Sequence, residues 1–287
     1  MNFRTDLAVE AADSLDLPAE DVVQEHRKAP GVELTHLHIV SARGEKLLGK
    51  PRGRYVTAHL PRLSDDERHL STCATHVGRE LGKMLPPEGL VLVVGLGNRT
   101  VTPDALGPAA ADLVLATRHI RGEFARTAGL DDLRAAAVVT PGVLGQTGTE
   151  SSELVRGICR EIHPVAVVVI DALAARSVSR LGRTVQLCDT GISPGSGVGN
   201  DRQPLNKEVL GVPVIGMGVP TVVDAATLSA ELTGQASDSP EAAAMMVTPR
   251  EIDLVIGRAA RLLAMSIHVA LQPAYSPGEL MAVAREM

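Results

Sequence analysis

The chain has 287 residues, 45% hydrophobic and 22% charged, a globular balance with room for one large or two small domains. Its net charge of −6 argues against a general nucleic-acid binder, which carries a basic surplus or stripe. With no Trp, two Tyr and two Phe, the core must be aliphatic, and no apolar run reaches the roughly 18–20 residues of a membrane span.

From the start, residues 1–6 carry no apolar signal segment, so a cytoplasmic location is expected. Within residues 33–40, Leu37 and Ile39 alternate with Thr35, His36 and His38, which predicts a half-exposed strand; residues 53–60 predict a second. Together they form a small β layer near the N-terminus. Between them the basic stretch Lys46 to Arg54 is short and broken by Gly, and reads as a solvated loop or a site for acidic partners. Residues 65–85 predict an amphipathic helix with Leu70, Cys73, Val77 and Leu81 on one side.

Beyond this helix the pattern changes. A continuous apolar run at 90–94 and similar runs at 135–139, 165–170, 184–188 and 212–215 are mostly separated by helical patterns at 107–117, 152–162 and 221–232. Apolar strands without alternation, separated by helices, indicate an α/β fold of three layers, a mostly parallel sheet with helices on both faces. Pro213 points to an edge position for the last strand. A final helix is expected to start with Thr248 as N-cap, Pro249 at its first position and Glu251 completing a capping box. It runs to about Leu271 and is apolar nearly all round, for packing on the sheet or in a subunit contact. Residues 234–241 read as a flexible loop. Cys73, Cys159 and Cys188 form no CxxC pair and read as buried thiols in a reducing compartment.

Ligands of open parallel sheets bind beyond the carboxyl ends of the strands. Asp104, Asp171 and Asp189 fall at or just past such ends. Each has a plain alternative, since Asp104 and Asp171 precede helical patterns and can be N-caps, and Asp189-Thr-Gly can be a simple turn. The loops around them, 95–108, 140–149 and 191–200, are dense in Gly and Pro, as expected where backbone passes close to a ligand. Thr100 stands where a dinucleotide fingerprint needs its third glycine, and neither GxSxG nor HExxH occurs. His119 reads as a surface or packing residue, and His36 and His38 as an exposed face.

Several long strings are specific. Gly95-Leu-Gly-Asn-Arg-Thr-Val-Thr-Pro-Asp104, Ile170-Asp-Ala-Leu-Ala-Ala-Arg-Ser177, Asp189-Thr-Gly-Ile-Ser-Pro-Gly-Ser-Gly-Val-Gly-Asn200 and Leu210-Gly-Val-Pro-Val-Ile-Gly-Met-Gly-Val-Pro-Thr-Val-Val-Asp224 resemble the germination protease family. So do Arg4-Thr-Asp-Leu-Ala-Val-Glu10 and Met246-Val-Thr-Pro-Arg250, so the resemblance covers almost the whole chain. It implies a phosphorylase/hydrolase-like fold related to the hydrogenase-maturation peptidases. It implies an endopeptidase of the forespore and spore core that starts the breakdown of small acid-soluble spore proteins after acidic residues. It also implies a homotetramer made as a self-processing zymogen. The family's proposed catalytic aspartates fall on Asp104 and Asp171.

Two carboxylates can activate water without a Ser or Cys nucleophile or a resident cofactor; a divalent metal held by the same pair, or non-hydrolytic binding of spore proteins, are the rival readings. Gly97, Asn98, Asp189, Gly195, Gly197 and Gly199 are candidates to contact substrate or its oxyanion. Similarity to the family's processing site places self-cleavage between Asp6 and Leu7, with residues 1–6 a short propeptide and 7–287 one peptidase domain. A helix cap at Asp6 is the local alternative. Where the family usually has His the chain has Ser193, so a role for that side chain, metal ligation included, does not transfer. A long family segment shrinks here to about 234–245.

Overall fold

The computed structural model describes residues 5–13, 15, 17–65, 67–120, 122–127, 130, 132–195, 202–234 and 239–286. Its strands are β1 (Val22–Ala29), β2 (Val32–Ile39), β3 (Gly53–His59), β4 (Val91–Gly95), β5 (Ala136–Val139), β6 (Ala166–Ala175), β7 (Thr184–Cys188), β8 (Val214–Asp224) and β9 (Met246–Val247). They form one sheet in the order β1-β2-β3-β7-β8-β6-β4-β5, with β9 added to β8. From β8 through β6 and β4 to β5 the strands are parallel, and from β8 through β7 and β3 to β1 they are antiparallel. The expected N-terminal β layer is therefore the antiparallel wing of the same sheet.

The helices are α1 (Ala8–Ala12), α2 (Ala42–Leu48), α3 (Leu70–Met84), α4 (Leu106–Ala111), α5 (Gly122–Thr127), α6 (Leu144–Thr147), α7 (Ser151–Ile162), α8 (Lys207–Leu210), α9 (Ala225–Thr233), α10 (Pro240–Ala243), α11 (Ile252–Leu271) and α12 (Pro277–Glu286). Strand period 2 sends alternate side chains to opposite faces. Val91, Val93, Val168, Ile170, Ile215 and Met217 meet α3, α4 and α11 on one face. Leu92, Val94, Val167 and Val169 meet Val155 and Cys159 of α7 and Leu210 of α8 on the other. Because both faces are covered, these strands read as unbroken apolar runs. Each fully buried Val or Ile among them contributes roughly 1.5–3 kcal/mol.

Several boundaries differ from the sequence expectation. β1 was not foreseen; it is an edge strand exposed along most of its length, so it shows no apolar period, and its Glu25, Arg27 and Lys28 discourage further pairing. β8 lies between β7 and β6, so Pro213 does not mark an edge: it precedes the strand and supplies a carbonyl to Val167 N–H. β8 also runs through Thr221 to Asp224, where a helix was expected. Asp224 then caps α9, its carboxylate accepting the Thr227 N–H at 3.0 Å.

The final helix starts later than expected, after Glu251 and without a side-chain cap; Thr248 instead donates its hydroxyl to the Thr221 carbonyl. Contrary to the sequence reading, α11 is long and apolar enough to cross a membrane by length and composition. Most of it is buried against the sheet and α3, so its apolar girdle is used inside the subunit. The three cysteines are buried and unpaired. The stretch Lys46 to Arg54 contributes the end of α2, a turn and the start of β3, with Arg52 paired to Glu45 and Arg54 to Asp189. His119 is exposed, while His36 is half-buried and meets Glu80 at 3.1 Å.

Candidate active site

Chain connection opens the site. After β4 the chain leaves to α4 on one face, and after β5 it reaches α7 on the other. Loops that part in opposite directions leave a crevice at the carboxyl edge of a parallel sheet. β4 also stops at Gly95, paired with Ile170, whereas β6 runs on to Ala175. Asp171 is thus the first residue of β6 beyond the end of its neighbour. It lies within a strand and is not an N-cap.

Asp104 comes from the loop after β4, at the end of a 3-10 turn spanning Thr102–Asp104; it is not a cap either, since α4 follows Ala105 without a side-chain cap. Gly97 (φ +117°) makes the loop possible, because a Cβ there would lie 1.9 Å from the Asp104 carbonyl oxygen. The chain turns tightly enough for the Asn98 N–H to donate to Asp104 Oδ2 at 2.8 Å. Gly107 sets the second close approach: a Cβ would meet the Leu96 and Ile170 carbonyl oxygens at 2.1 and 2.6 Å, so only glycine lets α4 sit on β4 and β6.

Asp104 and Asp171 line one cavity of about 370 Å³, with Gly97, Gly195 and Arg202. Asp171 also lines an adjoining cavity of about 230 Å³ with Lys50, Gln186, Ser193 and Gly195. Asp171 is 7% exposed and Asp104 half-buried. Burial pushes the Asp171 carboxyl well above the usual range, with the charges of Asp104 and Asp6 adding to the rise against one hydrogen bond from the Ala172 N–H. Burial also raises Asp104, opposed by the Asn98 N–H and the Arg202 charge. Two carboxyls in one pocket, one deep and one supported as the anion, can share a single proton.

The remaining expected residues divide. Gly97 and Gly195 line the cleft, but the Asn98 N–H is spent on Asp104, and the Asn98 side chain accepts from Thr100 and Gln146. Asp189 is not among the described residues lining the cleft; its carboxylate takes the Arg54 N–H at 2.7 Å and Nε at 2.8 Å. Gly197 and Gly199 lie outside the described residues. No three His, Cys, Asp or Glu among the described residues come together as a metal site.

Asp6 enters the cleft from the N-terminal segment and lines both cavities. Its N–H donates to the Ala174 carbonyl at 2.9 Å and its Oδ2 accepts the Ala174 N–H at 2.8 Å, so it does not cap α1. Lys50 Nζ donates to the Thr5 carbonyl at 2.8 Å. Leu7 is buried with Leu173, Leu181 and Val223, and the Glu10 carboxylate accepts the N–H groups of Arg176 and Ser177. Gln186 was missed in the sequence; its signal was a single amide inside the buried run Thr184-Val-Gln-Leu-Cys188.

The sequence profile of the germination protease family matches residues 5–234. The germination protease of Caldanaerobacter subterraneus subsp. tengcongensis is 39% identical over 98% of this chain and 97% of its own length. That of Clostridium perfringens is 38% identical over 95% and 96%. Among solved structures, a NiFe hydrogenase maturation protease from Thermococcus kodakarensis covers 66% of this chain and 98% of its own. At 18% identity and a TM-score of 0.38 it carries no weight for the site. The profile match and the near full-length relatives establish that the chain belongs to the germination protease family.

Proposed function

We propose that the chain is an endopeptidase that starts the breakdown of small acid-soluble spore proteins in the spore interior, cutting after acidic residues with Asp104 and Asp171. The observation that carries this reading is the pairing of the two carboxyls in one cavity at the carboxyl edge of the sheet. Asp171, the deeper and more strongly raised, holds the shared proton; Asp104, with the Asn98 N–H and the Arg202 charge, carries the negative charge. Asp104 takes a proton from water as the water oxygen attacks the peptide carbonyl carbon. Asp171 then protonates the leaving nitrogen as the C–N bond breaks. The two titrate as a pair, and no resident cofactor is needed for the proton count to close.

The same site serves self-processing between Asp6 and Leu7. Support comes from Asp6 lying in both cavities, next to Asp171. The active form is a homo-oligomer, with the family's tetramer the expected state. The test is mass spectrometry of fragments from a purified small acid-soluble spore protein, with and without chelator. Cuts after Asp or Glu, insensitive to chelation and absent with Asp171→Asn, support the reading. Activity lost on chelation and restored by a divalent metal would replace it with a metallopeptidase, and an uncut substrate would leave a binding protein.

A further inference from the structure

The Asp6–Leu7 peptide donates its N–H to Thr5 Oγ1 at 3.0 Å, and its carbonyl is held by a second side chain, Gln186, that the proposed mechanism does not use. Gln186 is 6% exposed in the middle of β7. Its Nε2 donates to the Asp6 carbonyl oxygen at 2.9 Å, and its Oε1 accepts the Ala8 N–H at 2.7 Å. The second bond fixes which way the amide faces: with the oxygen turned to Ala8, the NH₂ group must point at the Asp6 carbonyl.

Register places this amide opposite the acid. Asp171 on β6 pairs with Gly218 on β8, and Gly218 pairs with Gln186 on β7. Residues in one row across a sheet project to the same face, so Asp171 and Gln186 flank a glycine, with Cα atoms two strand spacings, roughly 10 Å, apart. Both line the smaller cavity together with Asp6. The carbonyl of the Asp6–Leu7 bond thus accepts from a buried, pre-oriented N–H donor, in a cavity that the buried Asp171 also lines.

We infer that Gln186 is a catalytic residue of the peptidase: it grips the substrate backbone on either side of the scissile bond and stabilises the oxyanion at the carbonyl as water adds. No proton leaves Gln186. The carbonyl C=O opens to a C–O⁻ that accepts the Nε2–H bond, and the carbonyl re-forms when the C–N bond breaks and nitrogen takes its proton from Asp171. This role rests on the reading that the dyad cuts Asp6–Leu7 and substrate bonds lying in the same way. It takes the part that the sequence offered to the Asn98 N–H, which is occupied by Asp104.

Four full-length proteins decide it: wild type, Asp171→Asn, Gln186→Met and Gln186→Glu. Each is assayed for kcat and KM on a small acid-soluble spore protein and for a new terminus at Leu7. Loss of one oxyanion donor typically lowers kcat by about 10²–10³-fold, and that drop is expected for Gln186→Met with KM within about threefold. Gln186→Glu keeps the acceptor for Ala8 but donates only when protonated. It should be inactive at neutral pH and regain activity as pH falls, over a range where wild type gains none. A pinning role alone would not give that rescue. Wild-type kcat in either folded Gln186 variant, or a rise in KM alone, overturns the assignment while an inert Asp171→Asn leaves the dyad standing. If Asp171→Asn also cuts normally, the dyad reading itself fails. Should Gln186→Met not fold, the pH profile of Gln186→Glu decides alone.

Discussion

Asp171→Asn should make the protein more stable as well as inactive. Asp171 is buried, its carboxyl is pushed up by desolvation and by the charges of Asp104 and Asp6, and its Oδ1 accepts the Ala172 N–H at 2.9 Å. Asparagine keeps an oxygen for that bond and removes the buried acid. Each pKa unit by which a folded carboxyl lies above its unfolded value of about 3.9 costs about 1.4 kcal/mol of stability at pH above the folded value. Relief of this kind at a functional site commonly contributes about 1–2 kcal/mol, or roughly 3–6 °C in Tm for a chain of this size. The sign with pH is fixed. A raised acid penalises folding at high pH, and the penalty fades as pH falls through the folded pKa towards the unfolded one. The Tm advantage of the variant should therefore be largest near pH 8 and shrink towards pH 4, as read by calorimetry or denaturant melts. A variant less stable than wild type at pH 8, or a gap that does not change with pH, would refute the account of Asp171 as a strained, proton-holding acid.

Other outcomes follow from the same geometry. Gly97→Ala places a Cβ against the Asp104 carbonyl at a positive φ. The loop must shift, with a loss of about 1–3 kcal/mol in stability and at least about 10²-fold in kcat, measured by melting and cleavage rates. His268, 2% exposed, accepts the Leu115 N–H on Nε2 at 3.0 Å and is pushed down to about 4 by burial. Its contribution is whole above pH 6.5 and is lost as pH falls from 6.5 to 4, so wild type should lose about 3 kcal/mol relative to His268→Gln between pH 7 and 4. Ser193 lines the smaller cavity but is exposed, and Ser193→Ala should keep most activity in the cleavage assay.

Much of this arrangement was legible in the sequence, for reasons that particular residues show. β4 and β5 fall within one residue of the apolar runs that mark them, because β4 and its neighbours are covered on both faces and leave an unbroken apolar composition. Asp171 and Asp104 stood out because each lies at or past the carboxyl end of an apolar strand, beside loops dense in Gly and Pro. β1 left no trace because its side chains face solvent, so nothing in its composition alternates. Thr221 to Asp224 reads locally as the start of a helix, and only pairing with β6 and β9 keeps it extended. Gln186 was invisible as a site residue because its role depends on a backbone 180 positions away in sequence, brought to it by the fold. Asp189 looked like a cleft residue by position, but its turn points it to Arg54, a contact that no local pattern announces.

The most direct test of the central claim compares cleavage rates of wild type, Asp104→Asn, Asp171→Asn and the double variant on one small acid-soluble spore protein. Groups that act as one unit are non-additive, so each single variant should fall to the same residual rate and the double should fall no further. A folded single variant within about tenfold of wild type, or two partial losses that multiply in the double, would contradict a shared-proton pair.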